Sequence, residues 1–171
     1  MDGINVPKKT RSVSMKTMVI ALVMAAVVPS IIFQYLLMFM YVPSESMYPT
    51  MTKGDTLFGT RTFSGLERGN IVAFQSGSIV MIKRIIGLPG DEVYIDETGS
   101  VFVNGVFLEE PYVQNGRAGK SQNFLIPEGH ILLLGDNRSD SYDARYWENP
   151  YISEDSVLAI AEYKLFSGKI S

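Results

Sequence analysis

The chain has 171 residues with 15 Lys+Arg against 18 Asp+Glu, a net charge of −3, which suits one domain of ordinary size and offers no basic stripe for nucleic acid. It contains no Cys and one His, so disulfide frameworks, thiolate metal sites, cysteine nucleophiles and an H-E-x-x-H zinc site are all excluded. Hydrophobic residues make up 46% and mean hydropathy is +0.11, high for a soluble domain, and the apolar residues are unevenly spread.

Between Lys16 and Glu45 the chain carries no charge for 28 residues, and positions 17–41 read TMVIALVMAAVVPSIIFQYLLMFMY. This predicts a transmembrane helix over 17–41, about 37 Å long at 1.5 Å per residue, in which Pro29 is tolerated. The run is too long for the core of a cleaved signal and lacks a small-x-small exit, so the anchor is expected to be retained. Lys8, Lys9, Arg11 and Lys16 flank it on one side, which argues against a buried core helix and places residues 1–16 in the cytoplasm. The N-terminal flank holds four basic groups and Asp2, leaving 11 basic and 17 acidic groups for an acidic extracytoplasmic domain at 42–171.

That outer domain reads as antiparallel β. Apolar runs at 70–74, 78–86, 92–95, 101–103, 106–108, 131–134 and 157–166 are separated by Gly, Pro, Asn and Asp. Asn104-Gly105 predicts a type I′ hairpin turn and Leu88-Pro89-Gly90-Asp91 a type II turn, because each needs positive φ where Gly or Asn stands.

Candidate chemistry begins just past the helix, at Val42-Pro43-Ser44-Glu45-Ser46-Met47-Tyr48-Pro49-Thr50. Five residues beyond Tyr41 at about 3.5 Å each keep Ser46 within roughly 18 Å of the expected helix end. A serine needs a base to become nucleophilic. His130, the only imidazole, sits in a turn leading into the 131–134 run, where an exposed strand-start histidine is the ordinary explanation. No G-x-S-x-G or S-x-x-K pattern occurs.

Lys83 is the stronger candidate base. Strand alternation puts it on one face with Ile79, Met81 and Ile85 while Arg84 faces the other way. The pattern also allows an edge-strand lysine that snorkels to water. A lysine with pKa about 10.4 is neutral in about one molecule in 2,500 at pH 7, and lowering that to about 8 costs near 3 kcal/mol of differential solvation. The polar run from Gly135 to Trp147 fails the EF-hand pattern, since Arg138 and Ser141 stand where a ligand and a glycine are required. It reads either as a solvated loop or as a platform in which a hydroxyl such as Ser141 orients an amine and Asp143 pairs with Arg145. Asn137-Arg138-Ser139 also fits an N-glycosylation sequon.

Four blocks together resemble the type I signal peptidases, membrane-bound serine proteases with a Ser/Lys dyad. They are Ser44 to Thr50, Arg68 to Phe74, Lys83-Arg84-Ile85-Ile86-Gly87-Leu88-Pro89-Gly90-Asp91, and Gly135 to Trp147, in the family's order. The resemblance implies Ser46 as nucleophile, Lys83 as base, and an oxyanion hole from the Ser46 N–H and the Ser44 hydroxyl. It further implies Ser141 as the hydroxyl bonded to the lysine, Asp143 with Arg145 as a supporting ion pair, and Asp136 as an acidic residue near the site. Asn70 departs from the family's usual Asp, in a structural box. The implied activity is removal of signal peptides from preproteins bearing small residues before the cut, at the outer face of the cytoplasmic membrane, with no metal or cofactor. Alternatives are a peptidase dedicated to one substrate such as a conjugative pilin, or an inactive anchored domain that binds extended peptides. The implied fold is a mainly antiparallel β domain with a cap insertion at about 91–123 and an apolar patch that touches membrane lipid.

Overall fold

The computed structural model describes residues 14–114, 116, 119–165 and 168–170. Lys8, Lys9 and Arg11 of the expected basic flank, and Phe166 at the end of the last apolar run, lie outside them.

One helix, α1 (Met15–Tyr35), is long and apolar enough to cross a membrane, and none of its residues is buried against the rest of the chain. Its 21 residues span about 31 Å, the thickness of a bilayer's hydrocarbon core. The helix expected over 17–41 therefore stops six residues early. Leu36 closes it with an N–H bond to the Ile32 carbonyl, and Leu37–Tyr41 forms strand β1 instead. Hydropathy cannot separate an apolar helix turn from an apolar strand; pairing decides. Strand β2 (Thr56–Thr60) runs antiparallel to β1 from Leu37↔Thr60 to Tyr41↔Thr56 and satisfies its backbone. Phe39 also stacks on Phe33 of the helix and meets Phe58 of β2 at a tilt, with ring centres 5.1 and 4.1 Å apart. The contour from the helix end to Ser46 consequently lengthens to 11 residues, up to about 38 Å, rather than 18 Å.

The remaining strands are β3 (Ile71–Ser76), β4 (Ile79–Gly87), β5 (Glu92–Ile95), β6 (Val101–Val103), β7 (Val106–Phe107), β8 (Gln122–Leu125), β9 (His130–Leu134), β10 (Tyr151–Ser153), β11 (Val157–Lys164) and β12 (Gly168–Lys169). The large antiparallel sheet has the order β1-β2-β11-β3-β4-β9-β10, with β12 on β11. A second sheet, β7-β6-β5-β8, is inserted between β4 and β9, where the cap was expected. Strands β5 and β6 match the apolar runs residue for residue. The turn between β6 and β7 has φ of 52° at Asn104 and 77° at Gly105, the type I′ signature read from the sequence. Strands β1, β2, β8, β10 and β12 were not foreseen, being short or part of another expected element.

Three apolar clusters hold these layers together. Val93, Val101 and Phe124 of the small sheet pack on Ile86, Leu132 and Leu134 of the large one. Val72, Phe74, Ile85 and Leu133 fill the centre of the large sheet. Met40, Val42, Leu57 and Ile71 enclose Met47 and Met51, which are fully buried and so pin the loop that carries Ser46. Burial of each such side chain is worth about 1.5–3 kcal/mol, so this loop is a fixed part of the core edge.

Candidate active site

Lys83 is 4% exposed, opposite Val72 on β3, and it borders a groove of about 690 Å³ together with Ser44, Ser46, Met40, Ile82 and Tyr142. Burial rules out the snorkelling alternative. Desolvation is the largest influence on the amine and pushes its pKa down to about 8; Arg145 adds to the fall, while Asp143 and Asp136 oppose it. At pH 7 roughly one molecule in eleven then carries a neutral amine, against about one in 2,500 for an ordinary lysine.

Ser46 lies in the turn that follows β1. Tyr48 N–H bonds the Glu45 carbonyl at 3.0 Å and Met51 N–H the Met47 carbonyl at 2.8 Å, so the turn is closed on both sides of the serine. The Ser44 hydroxyl donates to Ser46 Oγ at 3.3 Å. Two strand edges face the groove. β1 has no partner on its outer side among the described residues, and β4 pairs with β3 along Ile79–Arg84 while β9 joins its other side only from Arg84 onward.

The loop after β9 closes the site. Asn137 N–H bonds the Ser46 carbonyl at 3.1 Å and its side-chain amide donates to the Glu45 carbonyl at 3.1 Å, tying this loop to the turn that carries Ser46. The close approach demands Gly135, where a Cβ would stand 2.1 Å from Ser141 Oγ and 2.5 Å from the Ser46 carbonyl oxygen. Asp143 accepts from Arg145 Nε at 2.8 Å and Nη2 at 2.9 Å, and also from the Gly135 N–H at 2.9 Å. Ser141 is buried, but its hydroxyl has no hydrogen-bond partner among the described residues, so the expected bond to Lys83 is not formed in this arrangement.

Asp136 acquires a definite partner. It accepts from Arg84 Nε at 2.9 Å, Arg84 Nη2 at 2.8 Å and the Thr50 hydroxyl at 2.6 Å. Neither Arg84 nor Thr50 was singled out from sequence; the available signal was two adjacent cations in an apolar strand, since the one facing away from the groove needs a buried acid. His130 opens β9 at the end opposite Gly135, about 16 Å away along the strand, with Nδ1 2.9 Å from the Glu128 carbonyl. Asn70 accepts the Glu67 N–H at 2.9 Å through its side-chain oxygen, a turn contact that a carboxylate could equally make. Among the described residues no group of three His, Cys, Asp or Glu could hold a metal ion.

The family model described as "Signal peptidase, peptidase S26" matches residues 14–166. A probable signal peptidase I-2 of Synechocystis sp. is 38% identical over 143 residues, covering 77% of this chain and 63% of that protein. Signal peptidase I S of Bacillus subtilis is 32% identical over 85% of this chain and 84% of its own length. A crystal structure of a signal peptidase I from Enterococcus faecalis superposes with a TM-score of 0.50 at 29% identity, over 58% of this chain and 98% of that one. The matched chain thus spans less than two thirds of the Synechocystis relative and 64% of a signal peptidase I of Leptolyngbya laminosa.

Proposed function

Because the chain belongs to the signal peptidase family, peptidase S26, we propose that it is a membrane-anchored serine endopeptidase that removes signal peptides from preproteins. The observation that carries this reading is a buried lysine with its pKa near 8 bordering the same groove as a serine whose neighbour hydroxyl reaches it at 3.3 Å.

In this mechanism neutral Lys83 accepts the Ser46 proton as Oγ attacks the scissile carbonyl. The Ser46 N–H and the Ser44 hydroxyl donate to the oxyanion, and the protonated lysine then gives its proton to the leaving amine as the scissile C–N bond breaks. Water deprotonated by the same lysine releases the acyl-enzyme. Ser141 orients the amine once substrate fills the groove, and the Asp143–Arg145 pair holds the loop that carries it. An extended peptide lies between the facing edges of β1 and β4 and bonds them through its main chain. The groove lining is largely apolar and includes Met40 and Ile82 beside Ser46, which favours uncharged side chains before the cut.

Residues 1–16 remain in the cytoplasm, α1 crosses the cytoplasmic membrane, and the β domain works on the outer side, with the small sheet as its cap. Exposed Phe39, Tyr41, Ile79 and Val80 rim the groove, and β1 leaves the helix after a single residue, so this rim rests on lipid. The test is cleavage of a preprotein at its small-x-small site by the full chain in detergent. Wild type should produce the mature N-terminus while Ser46→Ala and Lys83→Ala do not; retained cleavage by either variant would reject the dyad.

A further inference from the structure

Four basic side chains, all with little exposure, lie on β4 and on the loop after β9: Lys83, Arg84, Arg138 and Arg145, of which Lys83 lines the groove. Asp136 pairs with Arg84, Asp143 with Arg145, and Glu110 with Arg138, so that among the described residues only Lys83 of these four lacks a carboxylate of its own. Two of those acids sit on the loop after β9 itself. Glu110 does not; it comes from the segment between β7 and β8, in the inserted sheet.

Arg138 is 2% exposed and is used at every polar atom. Nη1 donates to Glu110 Oε2 at 2.7 Å, Nη2 donates to Glu110 Oε1, Nε donates to the Gly135 carbonyl at 3.0 Å, and the Arg138 carbonyl accepts from Arg145 Nη2 at 3.0 Å. The same segment makes a second tether. The Tyr112 hydroxyl donates to Glu110 Oε1 at 2.7 Å, and the Tyr112 ring lies 3.8 Å from the centre of the Arg84 guanidinium. Residues 110–112 therefore grip both the arginine next to Lys83 and the arginine at the centre of the closing loop.

Without Glu110, Arg138 would be a buried cation with no ion-pair partner, left only the through-space attraction of Asp143, which is already paired with Arg145, and a buried charge stripped of its partner moves toward water if it can. Doing so would release the Gly135 carbonyl and shift the turn that packs against Ser46 and Ser141. We propose that Glu110 is a positioning residue: by fixing Arg138 it holds the loop from Gly135 to Arg145 against Ser46 and Lys83, which makes the inserted sheet part of the catalytic apparatus. The kinetic side of this proposal rests on the peptidase reading; the mechanical side does not.

The experiment compares wild type, Ser46→Ala, Glu110→Gln and the double variant Glu110→Gln/Arg138→Met for preprotein cleavage, thermal midpoint and amide hydrogen exchange. Glu110→Gln should lower kcat at least tenfold with KM within twofold of wild type. Exchange at the Gly135, Asn137 and Ala144 amides should quicken at least tenfold while the amides of β3 and β4 stay as they were. The double variant removes the stranded charge, so it should regain thermal stability without regaining kcat. Cleavage and exchange in Glu110→Gln both within twofold of wild type would overturn the proposal, as would recovery of kcat together with stability in the double variant. If wild type fails to cleave, the peptidase reading falls, and the exchange data alone still decide whether Glu110 holds the loop.

Discussion

Asp136 grips Arg84 through both Nε and Nη2, at 2.9 and 2.8 Å, immediately beside Lys83 in the chain. This buried bridge ties the loop after β9 to β4, so the segment that brings Ser141 and the strand that brings Lys83 cannot shift independently. Asp136→Asn leaves Arg84 buried without a counter-charge and should cost about 3–5 kcal/mol, read by urea unfolding. Asp136 also raises the Lys83 pKa, so the same variant should move the apparent pKa of kcat/KM below that of wild type. An unmoved or higher value would show that the carboxylate does not act on the lysine.

The pH profile follows from the working form of the base. In the proposed mechanism neutral Lys83 is the reactive species, so kcat/KM should rise about tenfold per pH unit below pH 8 and level off above it. Initial rates between pH 5.5 and 9.5 check this. A plateau reaching down to pH 6 would exclude a lysine of this pKa.

Stability should run against activity at the same residue. The folded protein holds Lys83 at about 8 against an unfolded value near 10.4, so the unfolded chain binds more protons between those limits and stability rises with pH there. Below pH 8 the full penalty is present, up to about 3 kcal/mol. Lys83→Met should therefore unfold at a higher temperature than wild type at pH 7, and the gain should shrink as pH rises from about 8 toward 10.4. A less stable Lys83→Met at pH 7 would mean that burial of the amine is compensated elsewhere.

Gly135→Ala should be far more severe than a glycine replacement in an open turn. Its Cβ would sit 2.1 Å from Ser141 Oγ and 2.5 Å from the Ser46 carbonyl oxygen, so either the loop or the nucleophile turn must move. We expect at least a hundredfold loss of kcat and about 1–3 kcal/mol of destabilisation. Gly129→Ala, in open space at φ 69°, serves as a control that strains the backbone without touching the site.

His130→Ala should leave most activity. The imidazole stands at the far end of β9, about five residues from the loop that closes the groove. Loss of cleavage in a folded His130→Ala protein would return the histidine to consideration as base.

Much of the site's vocabulary was legible in the chain. Ser46 and Lys83 stood out because an amine in the apolar run 78–86 needs a reason, and a serine without an available histidine needs a base. The pairing of Asp143 with Arg145 was readable because the two are two residues apart. Glu110 and Tyr112 were invisible, since 28 and 26 residues separate them from Arg138 and nothing local marks an exposed-looking acid as a buried partner. The boundary at Tyr35 was misplaced for a related reason: Leu37–Tyr41 is as apolar as the helix before it, and only β2 makes it a strand.

Local periodicity and composition thus determined the long apolar segment near the N-terminus, the antiparallel β class, the I′ turn at Asn104-Gly105 and the candidate residues for acyl chemistry, because each depends on side-chain type within a few positions. Tertiary structure alone decided which carboxylate serves which arginine and how far the Lys83 pKa falls. Those are properties of burial and distance, and groups more than 25 residues apart acquire them only when two sheets and a loop close on the same few ångströms.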